Sequence, residues 1–294
     1  MDRAFLDLPF CDGYRALEMS SSPALPQIVT LSPRRLNHAA KPGAARDAFM
    51  HSGSSSHSMA GRSGNSALSA YFEALFAAHG PQHWWPGRSR FEVIVGAILT
   101  QNTSWKNVER AIANLRAQKL LSPQAVREVP SARLAACIRP SGYFRQKTKT
   151  LKTFAAFLFA NHGGSLDRLF ATPTKPLREQ LLRLCGIGPE TADSILLYAG
   201  KHPVFVIDAY ARRILERHDL AHPKATYEQL RSAFESALPR YHQLFNEFHA
   251  LIVHTGKHFC RKTNPACLAC PLAEFLPAPA SAQGTSHQLP VTLP

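Results

Sequence analysis

The chain has 294 residues, and the 45% that are hydrophobic suffice for a sizeable core, which argues against a wholly disordered protein. Lysine and arginine number 34 against 20 acidic residues, and the formal charge of +14 indicates a polyanionic partner, either nucleic acid or an anionic membrane surface. No apolar run approaches the roughly 20 residues needed to span a bilayer, which argues against a membrane-spanning protein.

The N-terminal segment, residues 1–65, is rich in Ser, Pro, Ala, Gly and His and has no helical or strand period. We expect it to be disordered. Met50 and Met59 within it are alternative start sites. Asp2 and Asp7 lie where a signal peptide would have basic residues followed by an apolar stretch, so we expect an intracellular protein.

The remainder of the chain has a helical period, apart from a tail at residues 277–294 that we expect to be disordered. Three sets of apolar residues show the i, i+3, i+4, i+7 spacing of an amphipathic helix: Val108, Ala111, Ile112 and Leu115; Leu151, Phe154, Ala155 and Leu158; Ala192, Ile195, Leu196 and Ala199. Residues 203–208, PVFVID, are the best strand candidate, but the run is short. The sequence therefore predicts an all-α fold of about ten helices.

The stretch LCGIGPETAD, residues 184–193, joins two helical patterns. Gly186 and Gly188 permit backbone conformations closed to residues with a Cβ, and Pro189 suits the first turn of a helix. This pattern predicts a tight hairpin between two helices. The backbone N–H groups that begin the second helix can hold a phosphate, although a plain helical turn would have the same pattern.

Three of the six cysteines cluster near the C-terminus, where Cys260, Cys267 and Cys270 have the spacing C-x6-C-x2-C. In an intracellular chain such a cluster more often holds a metal than forms a disulfide. The other three cysteines are scattered, as small buried hydrophobic residues usually are. They are Cys11, Cys137 and Cys185.

Four motifs, by their order and spacing, make the chain resemble the helix-hairpin-helix DNA glycosylases of the endonuclease III superfamily. They are FEVIVGAILTQNTSWKNVERAI, LCGIGPETAD, VFVIDAYARRIL and CRKTNPACLAC. The WWP, LTQNT and RPSGYFRQK motifs look most like those of the 3-methyladenine glycosylase branch. The resemblance covers roughly residues 68–276 and implies a two-domain all-α fold with a DNA cleft between the domains.

The resemblance also implies the domain boundaries and the partner. Residues 66–88 and 206–276 are expected to form one domain, which contains the N-terminal helix, the C-terminal helices and the cysteine loop. Residues 89–205 are expected to form a six-helix domain with the hairpin. The implied partner is double-stranded DNA with a damaged base, bound by a cytoplasmic, nucleoid-associated monomer with no membrane contact.

The implied activity is base excision, in which hydrolysis of the N-glycosidic bond releases a flipped damaged base. The sugar gains oxocarbenium character during this reaction, and an adjacent anion stabilises it. Asp208 matches the family's catalytic carboxylate, and it could also be an ordinary N-cap for the next helix, since the two roles can coexist. Relatives that also cut the strand carry a lysine in the hairpin, where this chain has Glu190, and a carboxylate cannot form an imine. The resemblance therefore implies a monofunctional enzyme.

The resemblance places Trp84, Trp85, Pro86 and Trp105 at the wall of the base pocket, with Glu190 in the same pocket. Core packing is the alternative role for each tryptophan, and charge complementation of a helix N-terminus is the alternative for Glu190. An alkylated purine such as 3-methyladenine is cationic, so aromatic faces attract it by roughly 0.5 to 2 kcal/mol, and its charge makes it a good leaving group. A pocket with one carboxylate and no strong general acid fits such a substrate.

Several residues are expected to contact DNA. Gln101 matches the family residue that fills the gap left by the extruded base, and the alternative is a polar residue at a helix end. Basic residues are expected to track the phosphate backbone, although a charge run can also be a solvated surface. The expected DNA-binding residues besides Gln101 are Gly186, Ile187, Gly188, Thr191, Arg145, Lys147, Arg261 and Lys262, with further cations at Arg139, Lys149, Lys152 and Lys257.

Relatives with a [4Fe–4S] cluster have the spacing C-x6-C-x2-C-x5-C, and the fourth position here is Leu276. Three alternatives follow. The cluster could use a surrogate ligand such as Glu274, His258 or Cys11. The loop could instead hold zinc with His258 or His254, or it could hold no metal.

Two other functions compete with removal of an alkylated purine. One is an endonuclease III-like glycosylase and lyase that acts on oxidised, deaminated or mismatched pyrimidines. The other is a non-catalytic DNA-binding module in which Asp208 only caps a helix.

Overall fold

The structure is a computed structural model that describes residues 64–277. Within this range the fold is all-α, as the sequence predicts, with twelve α-helices and no strand. The helices are α1 (Gly64–His79), α2 (Arg90–Leu99), α3 (Trp105–Ala117), α4 (Pro123–Glu128), α5 (Ser131–Ile138), α6 (Phe144–His162), α7 (Leu166–Phe170), α8 (Thr174–Leu182), α9 (Pro189–Ser194), α10 (Ala209–Arg217), α11 (Tyr227–Ala237) and α12 (His242–His258). Short 3₁₀ turns lie at Arg139–Ser141, Cys267–Ala269 and Ala273–Phe275, and a π-helical turn, Ile195–Ala199, continues α9.

The expectations for residues 1–65 and for the tail lie outside the described residues, except at their edges. There, α1 already begins at Gly64, and residue 277 is described as a loop.

The three periodic apolar sets lie on the buried faces of α3, of α6, and of α9 with its π-helical turn. Their spacing therefore predicted both the helices and the sides that face the core. The strand candidate is different, because residues 204–207 are buried but form an irregular connection to α10. Such an apolar run is typical of any buried segment, and periodicity alone cannot distinguish a strand from a buried loop.

The helix α1 packs against α11 and α12, and α10 packs against α12. The N-terminal helix therefore lies beside the C-terminal helices, which are distant from it in sequence. Residues 89–205 contain eight α-helices in place of the expected six, because α4 and α7 are single-turn helices of six and five residues. All described residues belong to one compact unit, and the predicted domain boundaries stay a prediction.

No helix of the described part of the chain is long and apolar enough to cross a lipid bilayer.

Candidate active site

Asp208 lies at the start of α10 and caps it. Its backbone is extended, and its side-chain Oδ1 accepts hydrogen bonds from the N–H groups of Tyr210 (2.9 Å) and Ala211 (2.8 Å). The other carboxylate oxygen, Oδ2, takes no part in this cap. The side chain is 15% exposed and lines an open cleft of about 270 Å³. Asp208 can therefore be both the helix N-cap and the pocket carboxylate that the sequence predicts.

The three tryptophans surround this cleft. The ring centroids of Trp85 and Trp105 are 5.1 Å apart at nearly a right angle, and Trp84 contacts both indoles edge-on or tilted. The Trp85 indole packs closely on Gly96 of α2, where an added Cβ would lie 3.2 Å from the ring. The indoles thus form an aromatic wall. The helix α2 supports this wall from behind, because Gly96 has no side chain at its contact with Trp85.

Pro86, which the sequence placed at the same wall, is exposed and is not among the residues that line the cleft. The N–H of Gly87 donates to the carbonyl of Trp85 at 2.9 Å, which makes a three-residue turn with Pro86 at its apex. Pro86 therefore does not line the cleft in this structure, and its place at the pocket wall stays a prediction.

Glu190, in the first turn of α9, lies in the cleft together with Asp208. The residue as a whole is exposed, and it lines the cleft. Burial of this carboxyl, and secondarily the charge of Asp208, raises the pKa of Glu190 to about 7. The cleft therefore contains a carboxyl group that is partly protonated at neutral pH. The sequence had predicted a site without a strong general acid.

Sequence reasoning missed three residues of the cleft. Tyr198, from the π-helical turn, and His249, from α12, were not selected, and Lys257 was assigned to the phosphate backbone. The Nζ of Lys257 lies 5.8 Å from the ring centroid of Trp84, so this amine belongs to the pocket. The only signal in the sequence for His249 is an imidazole within the apolar run FHALIV.

The two glycines of the hairpin between α8 and α9 differ in the space available for a side chain. Gly186 has φ of +86°, and an added Cβ would lie 2.1 Å from the hydroxyl oxygen of Thr150, so only glycine fits there. A Cβ at Gly188 would meet no atom within 4 Å, which leaves the start of α9 open to an approaching ligand. Asp193 of α9 is fully buried and bonds to Arg178 of α8 at 2.6 Å, which holds the two helices together.

Gln101 and the hairpin contact each other. The Nε2 of Gln101 donates to the carbonyl of Gly186 at 2.9 Å and to the hydroxyl of Thr191 at 2.8 Å. Thr191 and Ile187 are buried, and the N–H of Ile187 already donates to the carbonyl of Leu184. The N–H of Ile187 is therefore already engaged, unlike the expectation from the sequence, and the hydroxyl of Thr191 accepts from Gln101.

Lys147 is not a surface cation. It is 3% exposed, and its Nζ donates to the carbonyls of Leu99 (2.9 Å) and Ser141 (2.7 Å). Burial lowers its pKa to about 8. The prediction that Lys147 contacts the phosphate backbone is wrong in this structure, because its ammonium group joins the end of α2 to the turn before α6. The predicted cations Arg145, Arg261 and Lys262 are exposed.

The cysteine loop borders a separate small cavity of about 10 Å³, lined by all three clustered cysteines and by Leu276. Cys260 is buried, and its Sγ accepts a hydrogen bond from Arg217 at 3.2 Å. In the range 64–277 no three His, Cys, Asp or Glu side chains are grouped so that they could hold a metal ion.

Of the surrogate ligands expected from the sequence, Glu274 and His258 do not line this cavity, and Cys11 lies outside the described residues. His254 stacks against His79 and His258 instead, with ring centroids 4.3 and 4.5 Å away. Among the described residues that line this cavity, the possible ligands are the three thiols and the imidazole of His218, whose Nδ1 lies 2.8 Å from the hydroxyl of Tyr71. None of the surrogate ligands expected from the sequence completes the four that an iron–sulfur cluster needs.

Comparisons with known proteins agree with this architecture. Residues 95–240 match the model of the HhH-GPD superfamily of base excision DNA repair proteins. A candidate DNA repair glycosylase of Methanocaldococcus jannaschii is 44% identical over 205 residues, which cover 69% of this chain and 93% of the relative. Endonuclease III of Thermotoga maritima is 28% identical over 181 residues, which cover 61% of this chain and 79% of the relative.

Among solved structures, that of H. pylori 3-methyladenine DNA glycosylase bound to 1,N6-ethenoadenine is similar, with a TM-score of 0.58 and 29% identity. The match covers 66% of this chain and 97% of that chain. The hairpin, the cleft carboxylate and these matches lead to one assignment. The chain belongs to the HhH-GPD superfamily of base excision DNA repair proteins and is a DNA N-glycosylase of the endonuclease III type.

Proposed function

We propose that the protein releases an alkylated purine, such as 3-methyladenine, from double-stranded DNA by hydrolysis and leaves the strand intact at an abasic site. The observation that carries this proposal is the position of the Asp208 carboxylate in an open cleft walled by three indoles. A flat base can enter such a cleft only after it has been flipped out of the duplex.

Asp208 supplies the anion that the reaction requires. As the bond from the sugar to the base breaks, positive charge develops on the sugar, and a fixed carboxylate stabilises this charge more than it stabilises the neutral ground state. The two hydrogen bonds to Oδ1 hold the side chain in one orientation and leave Oδ2 for the sugar or for the attacking water.

The indoles select the base by stacking and by cation–π attraction, which favours a cationic alkylated purine. Lys257 opposes this selection by charge, since its ammonium already lies near the face of Trp84. The carboxyl group of Glu190, in the same cleft, offsets the ammonium when it is ionised. The ammonium of Lys257 therefore does not exclude a cationic base from the cleft, and a neutral base can also enter it.

Glu190 extends the proposal to neutral modified purines. A neutral purine is a poor leaving group until it is protonated, and an acid with a pKa of about 7 can donate that proton near neutral pH. One carboxyl group that donates a proton and one that serves as the anion form the usual pair of glycosidic hydrolysis. The H. pylori relative was solved with 1,N6-ethenoadenine, and this base carries no charge of its own.

The monofunctional part of the proposal depends on Glu190 standing where strand-cutting relatives have a lysine. Lys257 favours a second candidate, because it brings a primary amine into the cleft. That candidate is a glycosylase and lyase for oxidised or mismatched pyrimidines, in which the amine attacks the sugar and forms an imine.

The proposed DNA surface surrounds the hairpin. Gln101, Lys149 and Gly186 line a second open cavity of about 490 Å³ together with Tyr143, which is 65% exposed. An exposed aromatic ring and a glutamine at one cavity edge suit unstacked bases, and the exposed cations nearby suit phosphates. Gln101 must release its two hydrogen bonds to the hairpin before it can enter a duplex.

An iron–sulfur cluster is not part of the proposed chemistry. The cysteine loop lines a different cavity from the catalytic carboxylate, and it supplies three of the four ligands that such a cluster needs. Iron and sulfide analysis of protein purified without oxygen tests whether a further ligand completes the set.

The proposal is tested by incubation with duplexes that carry 3-methyladenine, 1,N6-ethenoadenine, uracil, thymine glycol or a G·T mismatch, each assayed with and without alkali. We expect strand breaks on the two purine duplexes only after alkali. Breaks without alkali would support the lyase candidate, and a Lys257→Gln variant would show whether that amine is responsible. Release of pyrimidines alone would refute the proposed substrate class.

A further inference from the structure

A buried histidine lies between a tyrosine and the free oxygen of the candidate catalytic carboxylate. His249 is 5% exposed, and its Nδ1 lies 2.5 Å from the hydroxyl of Tyr198. Its Nε2 lies 3.8 Å from Oδ2 of Asp208 and has no hydrogen-bond partner among the described residues. The imidazole therefore aims an unpaired nitrogen at the carboxylate oxygen that does not cap α10.

The protonation states of this group follow from its burial. Burial lowers the pKa of His249, although the charge of Asp208 acts in the opposite direction. Burial also raises the pKa of Tyr198 well above its ordinary value. At neutral pH the imidazole is therefore neutral and the phenol keeps its proton.

A neutral imidazole has one N–H, and its neighbours decide which nitrogen carries it. If Tyr198 donates its O–H to Nδ1, the proton of the imidazole is on Nε2 and points toward Oδ2 of Asp208. In the other tautomer Nδ1 donates to the phenol, and the lone pair of Nε2 faces the carboxylate, which is repulsive. The negative charge of Asp208 therefore favours the first tautomer.

We propose that Tyr198 and His249 are positioning residues that orient Oδ2 of Asp208 and stabilise its negative charge through the Nε2–H tautomer of His249. This inference rests on the proposed function, because it assigns a purpose to the orientation of Asp208 in base excision. Neither residue needs to touch the DNA.

Tyr198 also connects the carboxylate to the aromatic wall. Its ring centroid lies 4.9 Å from that of Trp85, and the two planes are tilted by 43°. One phenol thus forms part of the wall against which a base would stack and also sets the histidine tautomer. The other titratable groups that line this cleft are Glu190, Tyr210 and Lys257.

The test is Tyr198→Phe, which removes the hydroxyl but keeps the ring against Trp85. Without the O–H donor, Nδ1 of His249 has no partner, and the imidazole is no longer held with its Nε2–H toward Oδ2. We expect the single-turnover rate to fall by roughly tenfold, and the acid limb of its pH profile to move upward by about half a unit to one unit. DNA affinity should stay unchanged. A second change, His249→Gln in the Tyr198→Phe background, should recover part of the rate, since an amide N–H needs no tautomer.

The chain offers a matched control. Tyr71 and His218 form a similar buried pair, with 2.8 Å between the hydroxyl and Nδ1, and neither residue lines the cleft. Tyr71→Phe removes the same type of hydrogen bond and should reduce stability without a change in the pH profile. A similar shift of the acid limb in both variants would overturn the inference.

Nitrogen-15 shifts of the His249 ring measure the tautomer directly in the free protein. We expect Nε2 to carry the proton in the wild type, and the Nδ1 resonance to move in Tyr198→Phe, where this nitrogen loses its donor. A wild-type ring protonated on Nδ1, or an unchanged acid limb in Tyr198→Phe, would overturn the inference. This measurement needs no substrate, so failure of the proposed function on every duplex would be recognised separately.

Discussion

Replacement of Asp208 by asparagine separates its two roles. Asparagine is nearly the same size and keeps a side-chain carbonyl oxygen, which can accept the N–H groups of Tyr210 and Ala211 in place of Oδ1. The cap should survive, and the free energy of unfolding should change by less than about 1 kcal/mol. The negative charge is lost, and loss of one preorganised electrostatic group typically costs about 10² to 10³ in rate, or roughly 3 to 4 kcal/mol.

The assay is single-turnover release of the damaged base at saturating protein, with affinity for the same duplex measured in parallel. We expect Asp208→Asn to bind DNA as the wild type does and to release the base at least about 10²-fold more slowly. Ser122→Ala is the matched control, because Ser122 caps α4 through the N–H of Ala125 and lies outside the cleft. It should lose about 1 kcal/mol of stability and no activity.

A result in which Asp208→Asn keeps most of the activity would refute the reasoning, since a neutral amide cannot stabilise the charged sugar. Parallel losses of stability and rate in Asp208→Asn would mean that the residue acts only as a cap. The control makes these outcomes distinguishable.

Three further predictions follow from the cleft, the hairpin and the cysteine loop. Release of neutral 1,N6-ethenoadenine should decline as pH rises through about 7, because Glu190 loses its proton there. Glu190→Gln should slow that release by about 10²-fold and change 3-methyladenine release little, whereas equal effects on both rates would exclude proton donation. Gly186→Ala should destabilise the protein by about 1 to 3 kcal/mol in chemical denaturation, and Gly188→Ala should have little effect; equal losses would contradict the clash with Thr150. Leu276→Cys, purified without oxygen, should contain more iron and sulfide per chain than the wild type, and equal contents would show that this position does not limit metal binding.

The sequence predicted the parts of the structure that depend on neighbouring residues. The helices of the three periodic apolar sets follow from spacing alone, and the hairpin follows from glycines three and one positions before Pro189. The cap at Asp208 has the same local origin, because an N-cap binds N–H groups two and three residues ahead. These features needed no knowledge of the rest of the chain.

The parts that the sequence missed depend on distant contacts. Lys147 belongs to a basic run, and nothing in that run shows that its ammonium group reaches the carbonyl of Leu99, 48 residues away. The bond between Tyr198 and His249 spans 51 positions and joins a π-helical turn to α12. A run of basic residues does not show which of its side chains are buried. The sequence therefore could not distinguish a buried lysine that joins two segments from a lysine that contacts phosphate.

The geometry at Asp208 is compatible with one carboxylate that serves both the fold and the proposed chemistry. An N-cap residue has an extended backbone, and its side chain turns back over the first turn of the helix, so only one oxygen is needed for the cap. The second oxygen remains available on the same rigid support, next to a helix N-terminus that stabilises negative charge. A carboxylate at a helix N-cap therefore needs no additional loop to hold it in place. The stability of α10 and the orientation of the carboxylate are then fixed by the same two hydrogen bonds, so variants that loosen the start of α10 should reduce the excision rate before they reduce DNA affinity.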